Sequence, residues 1–186
     1  MASITDAAAI PGRSSDPARY DGVSQALHWL VALAMLAVLP LAWLAEAAPK
    51  EDAGYWMFFH KSVGVLLLVL MVTRSVWRAR RPAPAPQPGP FAGLARATHW
   101  ALYAALLAMP ISGYLMSGSG KPVPFFFVNL PGLPESEALK DAMNFVHVNV
   151  QWAVYALILA HVAGAAYHVA VRRDGLLDRM LPRQNA

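Results

Sequence analysis

The chain has no cysteine among its 186 residues. That excludes disulfides, thiolate metal sites, iron–sulfur clusters held by cysteine, and covalent c-type haem attachment. Charge is scarce as well: 14% of the residues are charged, whereas a soluble domain carries about 25%. No Asp or Glu lies in the interior of any long apolar run. This argues against a transporter driven by intramembrane acids and against a zinc site with a carboxylate ligand. The stretch GSGK at 118–121 lacks the earlier glycine of a phosphate-binding loop and opens no strand-to-helix unit, so phosphate binding is discounted.

What the chain has in abundance is apolar length. With 57% hydrophobic residues and a mean hydropathy of +0.40, it reads as an all-α integral membrane protein in contact with lipid. Four spans are expected, at about 26–46, 55–78, 96–117 and 146–171, forming a four-helix bundle across residues 20–182. Residues 1–19 read as a disordered tail, and 183–186 as a short C-terminal one. A cleavable signal peptide ending near LAEAAP is set aside, because the region before the first span is long and the apolar run exceeds the usual length. The proline-rich stretch RARRPAPAPQPGPFAG is a stiff linker. The segment from Ser117 to about Ala138 is too broken by Gly and Pro to cross, although FFFV is able to dip into the interface. A short amphipathic helix is expected at about 135–144.

Basic residues set the sidedness. All eleven arginines fall in the N-terminal tail, around the linker between spans two and three, or near the C-terminus, whereas Lys50, Lys61, Lys121 and Lys140 fall on the other side. Both termini and the linker are therefore expected in the cytoplasm, N-in and C-in. The net charge of +4 does not point to nucleic acid, because the cations flank apolar segments instead of forming a patch with interleaved aromatics.

All six histidines lie within or at the edge of the spans. His147 and His161, fourteen residues apart, are separated by about 21 Å of helical rise and fall about 40° short of four full turns, so they share one face at two depths. His168, seven further on, shares that face. By topology His60 and His147 belong to the outer side; His28, His99 and His168 belong to the inner side, with His161 deeper. Ionisable side chains in a membrane are by default functional, and an iron between facing imidazoles from different helices is what such a set can hold. The outer side offers His60 with His147. The inner side offers His28 with either His161 or His168.

The segments RYDGVSQALHWL, HKSVGVLLLVLMVTRSVWR and ATHWALYAALLAMPISGYLMS with GKP after it, then His, fourteen residues, His, and a closing DGLLDRMLP, resemble the bacterial cytochrome b561 family. That family is related to the di-haem cytochrome b subunits of hydrogenases and formate dehydrogenase. The resemblance runs from Arg19 to Pro182. It implies two haem b groups in the bacterial inner membrane, carrying electrons between a periplasmic donor and the quinone pool. Carried over, its ligand pattern matches His60 with His147 and His28 with His161, leaving His99 and His168 for a quinone site or the haem surroundings. Arg19, Arg74, Arg78 and Arg96 are then candidates for inner propionates, and Lys61 and Lys121 for the outer ones or for an approaching anion. Gly64 and Gly164 offer room for a flat macrocycle. Besides simple electron transfer, the resemblance admits a superoxide:ubiquinone oxidoreductase and a haem-bearing anchor of a partner oxidoreductase.

Overall fold

The computed structural model describes residues 19–85 and 88–182; all but the last residue of the tail expected at 1–19, and the tail expected at 183–186, lie outside the described residues. Four long helices dominate: α1 (Gly22–Ala47), α2 (Lys50–Arg80), α3 (Ala92–Gly118) and, after a small hairpin, α4 (Glu137–Tyr167). Each is long and apolar enough to cross a membrane, α4 together with the π turn that continues it from His168 to Arg172. A 3-10 turn, Leu177–Met180, follows.

Local chemistry fixes where these helices begin and end. Asp21 caps α1, accepting from the Ser24 backbone N–H at 3.0 Å and from the Ser24 hydroxyl at 2.7 Å. The Ser24 hydroxyl, foremost among these partners, holds the Asp21 carboxyl below the usual carboxylate range. Pro49 separates α1 from α2, whose first turn carries Glu51 and Asp52 and whose last carries Arg78 and Arg80, each favourable to the helix dipole. Pro82 ends the second helix. Ser136 caps α4 by accepting from the Leu139 N–H. The short helix expected at about 135–144, leading into the fourth span, is the opening of α4 itself, because this cap lies ahead of the whole run and nothing interrupts it.

The expectation of an all-helical chain needs one correction. Strands β1 (Val123–Phe125) and β2 (Val128–Leu130) pair antiparallel, with Phe125 opposite Val128. Phe126 turns the corner with φ 49°, a conformation that disfavours a side chain. Its N–H donates to the hydroxyl of fully buried Ser62 at 3.0 Å, which in turn donates to the Phe58 carbonyl. The hairpin is thereby fastened to α2, two residues from His60.

Packing divides the bundle into two helical hairpins. α1 lies along α2 and α3 along α4; α2 and α3 join them, and α1 reaches α4 through side chains, Trp43 donating to the Tyr155 hydroxyl at 3.0 Å. The core is Val31, Ala34, Met35 and Val38 against Leu67 and Met71, closed by Ala105, Leu106 and Val154. Val154 is the one buried residue of α4. At one end the start of α1, the segment 179–181 and the linker are clasped together. Tyr20 N–H and the Gln25 amide donate to the Arg179 carbonyl, Trp29 donates to the Met180 carbonyl at 2.8 Å, and Arg179 itself reaches Ala85 of the linker. Arg19, assigned from sequence to the loose tail, belongs to this clasp through the Leu181 carbonyl.

Candidate haem-binding site

The poorly filled seam between the two helical hairpins is where the histidines meet. Toward the β-hairpin end, the rings of His60 (α2) and His147 (α4) stand 6.3 Å apart, centroid to centroid, with planes at 86°. Each Nδ1 is held by a backbone carbonyl: His60 by Val38 of α1 at 3.0 Å, and His147 by Met109 of α3 at 2.9 Å. A carbonyl oxygen only accepts, so Nδ1 carries the proton and Nε2 presents its lone pair. This is how a neighbouring carbonyl orients a metal-binding imidazole. Ser112, 1% exposed, lies 3.2 Å from the same His147 nitrogen. Gly113 makes room for the ring, since a Cβ there would lie 3.0 Å from His147 Cε1.

Toward the other end three histidines gather. His28 (α1) and His161 (α4) are 6.1 Å apart, and His99 (α3) is 5.2 Å from His161. His168 does not join them. Its Nδ1 is 2.7 Å from Asp174 Oδ2, which also takes the Arg172 Nε at 3.1 Å. Burial of Asp174 opposes its ionisation, but the His168 hydrogen bond and the Arg172 charge outweigh that and keep its carboxyl below the ordinary range. Of the two partners that spacing left open for His28, the fold brings His161.

A haem fits this donor set. Two imidazoles on opposite sides of one iron, each nitrogen about 2 Å from the metal and each ring centre about 1.1 Å further, place their centroids about 6.2 Å apart. Both observed separations match that figure, and the 5.2 Å between His99 and His161 is too short for it. The cleft beside His60 and His147 holds about 430 Å³ free of protein atoms, its mouth included, with largely apolar walls. A Cβ on Gly64 or on Gly164 would meet nothing within 4 Å, so both faces are bare. Among the described residues no group of three His, Asp or Glu is arranged for a bare metal ion.

The charged candidates separate by position. Arg74 donates to the Ser24 carbonyl at 3.1 Å and lies over the Tyr103 ring. Arg78 lies over Tyr20 and has a buried Nη1 with no hydrogen-bond partner. Arg96 is exposed. Lys61, partly buried beside His60, feels the charge of Lys121, and neither forms an ion pair with a described carboxylate. Sequence reasoning did not single out the Val38 and Met109 carbonyls, Ser62, Ser112 or Gly113. Gln151 is on the cleft wall, and its place four residues after His147 is the signal in the sequence that points to it.

Four helices long and apolar enough to cross a membrane, bringing imidazoles to within about 6 Å of one another across an apolar seam, are what a membrane b-type cytochrome requires. A family model described as prokaryotic cytochrome b561 matches residues 19–183, and the chain belongs to that family. Among its relatives, "Cytochrome b561 homolog 2" of Escherichia coli (strain K12) is 35% identical over 181 residues, 93% of this chain and 96% of the relative. "Probable superoxide oxidase CybB" of Yersinia pestis is 30% identical over 171 residues, 89% and 97% of the two chains. "Cytochrome b561 homolog 1" of Escherichia coli (strain K12) is 30% identical over 165 residues, 85% and 94%. The protein is thus a bacterial integral membrane protein of electron transfer that binds haem b.

Proposed function

We propose that the chain holds two b haems, one between His60 and His147 and one between His28 and His161, and passes electrons across the inner membrane between a periplasmic donor and quinone. The observation that carries this reading is the pair of imidazole separations, 6.3 and 6.1 Å, at two depths of one bundle. Bound haem supplies a reversible one-electron couple. The protein's part at the outer pair is to hold the imidazoles in place by the Val38 and Met109 carbonyls and to keep water out with apolar walls. Arg78, whose buried Nη1 lacks a partner, and Arg74 beside it are suited to the inner propionates. Lys61 and Lys121 are suited to the outer ones.

The arginine-rich clasp faces the cytoplasm in this reading, and the β-hairpin faces the periplasm. Quinone is then reduced at the clasp end, where His99 and the His168–Asp174 pair supply groups able to move protons. Superoxide as the periplasmic donor is the second reading. It is favoured by Lys61, next in sequence to His60 and without an ion pair to a described carboxylate, and by the printed name of the Yersinia pestis relative. Superoxide generated in solution beside the purified protein decides between the two: rapid haem reduction supports the second reading, and none leaves the donor to be a protein.

A further inference from the structure

Gln151 is out of place in the cleft it lines. It follows His147 by four residues, so its side chain sits one turn deeper on the same face of α4. The cleft around it is walled by Met35, Leu39, Leu67, Leu106 and Val154, and apart from His60 and His147 no other polar side chain among the described residues lines it. Asn149, two residues earlier, satisfies its amide on the Phe145 carbonyl at 2.7 Å. The Gln151 amide makes no hydrogen bond to the described protein. An amide at this depth has no water to turn to, and a polar group left unpaired in hydrocarbon is costly. Its partner is therefore whatever fills the cleft.

We infer that Gln151 donates a hydrogen bond from its NH2 group to the haem held by His60 and His147, and that this contact raises that haem's affinity for an electron. The inference rests on the haem assignment above. The direction follows from chemistry. The periphery of haem b offers π faces and ionised carboxylates, which accept, and no donors, so the amide turns its N–H end inward. The positive end of its dipole then faces the group that becomes more electron-rich on reduction and stabilises the reduced form.

Potentiometric titration of the purified full-length protein tests this, comparing wild type with Gln151→Leu and Gln151→Met. One haem's midpoint should fall, corresponding to reduction about three- to tenfold less favourable, where tenfold is about 59 mV for one electron. The other haem should not move. The shift should survive in a His28→Ala background and be absent in His60→Ala, which assigns it to the outer group. An unmoved midpoint with haem retained, a rise, or a shift that persists on the haem left in His60→Ala overturns the inference. Should Leu disturb folding, the unbranched Met, which fits irregular spaces, gives the answer. Loss of neither haem in His60→Ala would instead count against the ligand assignment, so the two failures are distinguishable.

Discussion

Gly113→Ala is a small change with a specific consequence. The added Cβ would lie 3.0 Å from Cε1 and 3.3 Å from Nδ1 of His147, tighter than ordinary van der Waals contact. The ring must yield by a few tenths of an ångström, yet it is tied by Nδ1 to the Met109 carbonyl at 2.9 Å and stands 3.2 Å from the Ser112 hydroxyl. Overpacking of this kind costs about 1–3 kcal/mol. If the whole of that falls on His147, the outer haem is held about 5- to 150-fold more weakly, since about 1.4 kcal/mol is tenfold. Transfer of haem to excess apomyoglobin, followed spectrally, measures this. One haem of Gly113→Ala should leave faster than either haem of wild type, and Gly113→Val should be more severe. Gly93→Ala, where a Cβ meets nothing within 4 Å, is the control and should behave as wild type. Unchanged transfer kinetics and an unchanged spectrum for Gly113→Ala would refute the reasoning.

Three further outcomes are expected. His161→Ala should remove one haem per chain, whereas His168→Ala should keep both, because His168 is engaged with Asp174 at 2.7 Å; haem-to-protein ratios check this, and the reverse result would reassign the ligand. Ser62→Ala removes the acceptor of the half-buried Phe126 N–H that holds the β-hairpin on α2, at a cost of about 1 kcal/mol; faster proteolysis of the hairpin reports it, and unaltered cleavage would contradict it. Asp174 has a folded-state pKa below its ordinary value, so its stabilisation is complete above about pH 4, the unfolded value, and is lost as pH falls through the folded one. The melting-temperature gap between wild type and Asp174→Asn should therefore be largest near neutral pH and close in acid; a gap that widened in acid would be the wrong sign.

The spans and the histidine pairs were legible because each rests on a local period. Apolar runs long enough to cross a membrane announce themselves by length, and fourteen residues between His147 and His161 returns a helix nearly to the same face. His28 was harder to read. Spacing allowed His161 or His168, and the outcome depends on the chain leaving the α-helix after Tyr167 and on Asp174 engaging His168, neither of which is a periodic signal. The β-hairpin stayed hidden because its strands are three residues long, one contains Pro124, and its anchor at Ser62 is remote in sequence. Gln151 was visible as a residue; its unpaired amide exists only once the cleft walls come together from four helices.

Two haems per chain is the property from which the proposed electron path follows. Pyridine haemochrome quantitation on the purified protein, normalised by amino-acid analysis, should give two haem b per polypeptide, falling to one in His60→Ala and to one in His28→Ala. A single haem in the wild type, or two remaining after either substitution, would contradict it.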